Sequence, residues 1–127
     1  MISGTITREL DAIVSIILLD AEGSRPALDF VVDTGFSGAM SMPVSWIKAM
    51  NYPWSRSTTS ILADGSVIDV DVYEGRILWD NKERAVPIDA TEGDLLIGME
   101  LLQGFELRMQ VVVDGLVTIA PLLQSEN

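Results

Sequence analysis

In a chain of 127 residues, one short stretch joins an acid, a hydroxyl and a glycine directly to an apolar run: Leu28-Asp29-Phe30-Val31-Val32-Asp33-Thr34-Gly35-Phe36-Ser37-Gly38. Buried strands seldom end on a lone carboxylate beside their own core, because burying a charge is costly unless something compensates it. Asp33 is therefore the first candidate for chemistry, as a group that takes or gives a proton. Gly35 lets another backbone or a ligand approach closely. The plainer reading of the same residues is a strand-end turn in which the Asp33 side chain caps nearby amides.

The rest of the composition narrows what Asp33 could be part of. Histidine and cysteine are both absent. That excludes a Ser-His-Asp triad, a Cys-His dyad, a histidine general base, disulfides and zinc–thiolate sites. Hydrolytic chemistry is left to carboxylates, hydroxyls, lysine or a metal held by oxygen. Asp69, Asp71 and Glu74 could be imagined as an oxygen-rich metal site, but no loop with calcium-ligand spacing surrounds them, and a solvated strand face accounts for them better. No metal and no cofactor are expected. Nineteen acidic against eight basic residues give a net charge of −11, which repels nucleic acid and anionic lipid and mainly serves solubility.

The elements that must position Asp33 are mostly β. Gly4–Ile6, Ile13–Leu19, Leu28–Val32, Val67–Tyr73, Gly75–Leu78, Ala85–Ile88, Leu95–Ile97, Phe105–Val113 and Val117–Ile119 read as strands, several of them β-branched. Asp20–Gly23, Ala63–Ser66, Asp80–Lys82 and Asp114-Gly115 supply turns. Two short helices are expected, at Pro43–Met50 and Met99–Leu102. The fold class is all-β (mainly β), a compact closed barrel with one or two short helices, in a single domain over 1–127. The longest apolar run, Ala12–Leu19, falls short of the roughly 20 residues of a membrane span. Met1–Asp11 has no secretion-signal pattern. A soluble, cytoplasmic protein is expected, and the 48% hydrophobic content points to a sizeable subunit interface.

At these residues the sequence resembles the retropepsin-like (clan AA) aspartic proteases. Their active-site segment reads apolar-apolar-Asp-Thr/Ser-Gly, here Val31-Val32-Asp33-Thr34-Gly35. Late in the chain the family has two apolar residues and a glycine leading into a short helix, here Leu96-Ile97-Gly98 before Met99–Leu102. Between them it places a β-hairpin flap, to which Ile61–Val67 with its Ala63-Asp64-Gly65-Ser66 tip corresponds.

The resemblance implies an acid-protease-like barrel, catalysis by Asp33, support from Thr34 and Gly35, and substrate contacts from Phe36, Ala63, Asp64 and Gly65. The reaction needs two carboxylates, and only one Asp-Thr-Gly occurs. A two-fold symmetric homodimer would bring one Asp33 from each subunit to the axis. Such a pair shares a proton, as aspartic proteases are known to do. The ionised member would activate a water that attacks a peptide carbonyl, and the protonated member would donate to the developing oxyanion or the leaving amine. By resemblance, each Thr34 hydroxyl reaches a backbone amide of the partner, and the chain ends, Met1–Ile6 and Val117–Leu123, interleave into an interface sheet.

Two positions depart from the family pattern. Phe36 stands where alanine or serine is usual, and the flap tip has one glycine where many viral members have several. The expected partners are a second copy of the chain and a peptide or protein substrate, with no nucleic acid and no membrane. Two other readings stand beside the endopeptidase: a catalytically weak or inactive dimerisation or peptide-binding module on the same fold, and an acidic β-barrel of unrelated function.

Overall fold

The computed structural model describes residues 1–23 and 25–123. Ten strands and two short helices follow one another as β1 (Ile2–Ile6), β2 (Ala12–Leu18), β3 (Ala27–Val32), β4 (Met40–Pro43), α1 (Val44–Ala49), β5 (Trp54–Ile61), β6 (Val67–Trp79), β7 (Lys82–Thr91), β8 (Leu96–Ile97), α2 (Met99–Leu102), β9 (Phe105–Met109) and β10 (Leu116–Pro121). The protein is mainly β, as its sequence predicts.

All ten strands belong to one sheet, in the order β5-β6-β7-β4-β8-β3-β2-β1-β10-β9. An additional pairing of β6 with β2, Ile17 opposite Leu78 and Leu18 opposite Ile77, closes the sheet on itself. The result is a ring of six strands, β6-β7-β4-β8-β3-β2, with two excursions. One is the arm formed by β5 and the first half of β6. The other is the wing β1-β10-β9.

Burial alternates along the ring strands as a closed sheet requires. In β2, Ala12, Val14, Ile16 and Leu18 are buried between less buried neighbours. In β6, Tyr73, Gly75, Ile77 and Trp79 are buried, whereas Glu74 and Arg76 are exposed. With Phe30, Met40, Met42, Val86, Ile88 and Ile97 these residues form the core. Trp79 meets Phe105 edge-on at 5.5 Å and 72°. Trp46 and Trp54 lie on the surface.

The sequence reading differs from the structure at four elements. Residues Val67–Trp79 form one strand, not two, because Glu74 simply faces outward. Strand β4 is four residues long and carries a serine between two methionines, too short a signal to stand out. Strand β5, Trp-Ser-Arg-Ser-Thr-Thr-Ser-Ile, is polar and exposed at seven of its eight positions, so it lacks the alternation that marks a half-buried strand. Strand β9 ends at Met109, and Gln110–Gly115 forms the connection to β10. There the Val112 amide donates to the Gln110 carbonyl, and the Gly115 amide to the Val112 carbonyl.

The wing also bears on the expected interleaving of chain ends. Strand β1 is paired on one side with β2 and on the other with β10, and β10 lies between β1 and β9. Both strands are thus flanked on both sides within the chain, although Ile2 and Ser3 have no β2 partner and Ala120 and Pro121 no β1 partner, and β9 is the outer strand of the wing.

Candidate active site

Asp33 follows directly on β3, the middle of a three-strand parallel and antiparallel crossing. Parallel pairing with β8 sets Val31 opposite Leu96 and Val32 opposite Ile97. The Val31 amide donates to the Leu95 carbonyl and the Asp33 amide to the Ile97 carbonyl, both at 2.9 Å. The last apolar residues of the strand are thus tied to the second apolar motif, Leu96-Ile97-Gly98.

Beyond Asp33 the chain turns sharply. Asp33 Oδ1 accepts from the Gly35 amide at 2.9 Å, and its carbonyl accepts from the Phe36 amide at 3.1 Å. This is an Asx-turn, so the capping geometry of the plainer reading is present. It engages one carboxylate oxygen and leaves Asp33 half-buried, open to a ligand or a second carboxylate. Thr34 is exposed, and its hydroxyl makes no hydrogen bond to a described residue.

Residues 36–39 are then clamped to the start of α2. The Gly98 amide donates to Ala39, the Met99 amide to Phe36 and the Glu100 amide to Gly38, at 2.9, 2.9 and 3.2 Å. The approach is so close that a Cβ on residue 98 would lie 2.4 Å from the Gly38 carbonyl oxygen and 2.5 Å from that of Phe36. Only glycine fits there. Phe36 does not hang free beside Asp33. Its ring lies over Gly38 and Gly98, where added Cβ atoms would meet ring carbons at 2.6 Å. The departure at position 36 and the glycines at 38 and 98 therefore form one packing unit. Sequence reading treats Phe36 only as a substrate contact and a departure from the family pattern. The glycine two residues later was the available signal for its seat.

The arm places Ala63, Asp64 and Gly65 at the tip of the β5–β6 hairpin, all exposed. Ile61 pairs with Val67, the Leu62 amide donates to the Ser66 carbonyl, and the Gly65 amide donates to the Leu62 carbonyl. Gly65 has φ +86°, which favours glycine. The Asp64 carboxylate accepts from the Ser66 hydroxyl at 2.6 Å and from the Ser66 amide at 2.8 Å. Those bonds hold its carboxyl below the usual range. The hairpin predicted at Ile61–Val67 is thus present, but its arms extend back to Trp54 and on into the ring. No hydrogen bond joins the tip to the Asp33 turn among the described residues.

Asp71, one of the acids weighed as an oxygen ligand, accepts instead from the Trp54 indole at 3.1 Å. No group of three or more acidic residues is placed to hold a metal among the described residues. Beside Thr34 an open cavity of about 580 Å³ is lined by Ser37, Met99, Leu102, Phe105 and Leu107 among others, a largely apolar wall supplied by α2 and β9. No helix of the described residues is long and apolar enough to cross a membrane.

The crystal structure of a retropepsin-like aspartic protease from Rickettsia conorii matches this chain with a TM-score of 0.57 at 14% sequence identity, covering 95% of this chain and 90% of that one. No protein-family profile matches the chain, and no curated protein matches it in sequence. The fold is that of the retropepsin-like aspartic proteases.

Two outcomes test the site's construction. Gly98→Ala forces a Cβ against two backbone oxygens and is expected to cost about 1–3 kcal/mol or more in urea unfolding, as overpacking does. The Asp64 turn is expected to hold through the ordinary carboxylate range as pH falls. A group whose folded pKa is depressed contributes above its unfolded value and loses that contribution only as pH drops through the folded one. Hydrogen exchange at the Ser66 amide, followed from neutral to acid pH in wild type and Asp64→Ala, reads this directly.

Proposed function

We propose that the chain is an aspartic endopeptidase that works as a homodimer in the cytoplasm, with Asp33 of each subunit forming the catalytic pair. The observation that carries this reading is the Asp33 turn itself. A half-exposed carboxylate is fixed at the end of β3 by two strands, a turn and a glycine-tight clamp, on the retropepsin-like fold. So much backbone commitment to one acid is more than a solvent-facing cap requires.

The chemistry follows from pairing two such acids. Two carboxylates in contact resist ionising together and share one proton, and the titration belongs to the pair. The ionised member removes a proton from a water held between them as the water oxygen bonds to the peptide carbonyl carbon. The other member protonates the oxyanion. When the tetrahedral adduct collapses, the first carboxyl gives its newly gained proton to the nitrogen, the second takes a hydroxyl proton as the new carboxyl group forms, the C–N bond breaks and the amine leaves. Thr34, exposed and without a bond to a described residue, is the group proposed to lock the two turns across the axis. Gly35 and Phe36 would border the substrate from below. Ala63, Asp64 and Gly65 would cover it from the arm.

The assembly side of the reading rests on the wing. Met109, Val111, Val112, Val113 and Leu116 are exposed on or beside the β9–β10 connection. That connection lies at the Asp33 end of the barrel. The Asp114 amide donates to Ile6 and the Ile6 amide to Gly115, Ile6 pairs with Ala12, and Ile13 with Val31. A continuous apolar edge beside an acid that needs a partner is a fitting place for a second copy. It is proposed in place of the interleaved ends because β1 and β10 are flanked on both sides along most of their length.

Asp33→Asn separates structural from chemical roles, because asparagine keeps the Oδ1 acceptor for the Gly35 amide while losing the acid. Against an unbiased peptide library between pH 4 and 8, wild type is expected to cleave and a folded, dimeric Asp33→Asn to be at least a hundredfold slower, about the size of a general-acid–base contribution. If neither protein cleaves while both dimerise, the binding-module reading takes its place. Val112→Asp puts a charge into the proposed interface. Sedimentation is expected to show it monomeric at concentrations where wild type is dimeric, and unchanged self-association would remove the β9–β10 edge from the account.

A further inference from the structure

The face of the ring opposite the core carries a carboxylate that the catalytic reading leaves unused. Strand register aligns four residues across it: Arg56 opposite Val72, Val72 opposite Asp89, and Asp89 opposite Ser41. Residues directly opposite one another share a face of the sheet. The neighbouring row, Tyr73, Ile88 and Met40, is core. The Asp89 row therefore points away from that core row; within it Val72 and Ser41 are covered, while Asp89 keeps part of its surface and Arg56, at the base of the arm, is exposed.

Asp89 also adjoins the Asp33 turn. Its Oδ2 lies 3.5 Å from where a Cβ on Gly38 would stand, and the Phe36 ring covers the same glycine. Gly38 accepts from the Glu100 amide. Asp89 is thus bounded by the residues after Asp33 on one side, by the start of α2 on a second, and by the arm on a third. On the peptidase reading, a peptide lying across the Asp33 turn would lie beside it.

The surroundings of Asp89 define what it would bind. It is half-buried, and its carboxylate makes no hydrogen bond or ion pair with a described residue. Burial pushes its carboxyl up, Arg56 across the sheet pulls it down, and Glu100 pushes it up further. Arg56 sits on the exposed outer strand and does not close the gap. A half-buried carboxylate without a partner, next to a second acid, is best satisfied by a cation that brings its own hydrogen-bond donors.

We propose that Asp89 is a specificity-determining residue of the cleft, binding a lysine or arginine side chain of the peptide substrate. The proposal rests on the peptidase reading above and adds the chemistry of the substrate. Each subunit of the dimer supplies one Asp89, so the preference falls on both sides of the scissile bond. Glu100 reinforces the site, and Arg56 tempers it by holding the free site closer to neutrality.

The test scans lysine, arginine, norleucine and glutamate through every position of a peptide set, and measures both cleavage and binding. Wild type is expected to favour lysine or arginine over norleucine by about tenfold or more in kcat/KM at fixed positions, the scale of a hydrogen bond to a charged group. Asp89→Asn is expected to lose that ratio while keeping its rate on norleucine peptides, and Asp89→Lys to prefer glutamate. Cleavage with the same basic preference in wild type and Asp89→Asn overturns the inference and leaves the peptidase intact. If wild type cleaves nothing, the peptidase reading falls. The inference is then decided by fluorescence binding of the same peptides to the dimer. Tighter binding of basic peptides to wild type than to Asp89→Asn sustains it, and equal binding overturns it.

Discussion

Everything at the site depends on the amide-to-carbonyl bond from Asp33 to Ile97 and the glycine beside it. That bond joins the end of one short strand to the end of another far along the chain. A carboxylate there would otherwise sit on a loose turn, with its position set by rotamer and solvent. The parallel pairing of β3 with β8, followed at once by the contacts of Gly98, Met99 and Glu100 with residues 36–39, fixes the turn from both flanks. Because those contacts are backbone to backbone, side-chain changes nearby leave them largely untouched. The exception is residue 98, where any side chain collides.

The same arrangement explains why the core of the site was legible from residues alone. Val31-Val32-Asp33-Thr34-Gly35 and Leu96-Ile97-Gly98 each encode a strand end and a turn, and the structure brings the two together. The arm tip was legible for a similar reason, since Asp64-Gly65 demands a turn whose side chain and φ angle suit those residues. What the sequence hid was long-range. Strand β5 has no core face, so hydrophobic alternation cannot reveal it, and β4 is too short for any periodicity. Gly38 hints locally at a seat for Phe36, but nothing local announces that the ring also rests on Gly98, far along the chain. Asp89 was invisible for the same reason: its meaning comes from Arg56, Gly38 and Glu100, which only the closed sheet brings near.

The acidic composition also acquires a location. Read as a sum, a charge of −11 describes solubility. Within the fold, part of it is structural: Asp64 stiffens the arm tip, and Asp71 holds the Trp54 indole. Asp33 and Asp89 differ from these in being half-buried. Arg56 is the basic residue that reaches the Asp89 row.

The ring of six strands closes within one polypeptide, through two residue pairs between β2 and β6. Its wing likewise satisfies β1 and β10 without outside help. The strand pairing that closes the ring is thus complete within one chain. On the proposed reading, a single copy carries a finished barrel and half of a reactive centre. Such a chain is silent when scarce and active when abundant. Synthesis, degradation or local crowding could then govern it, the amount of protein serving as its own switch.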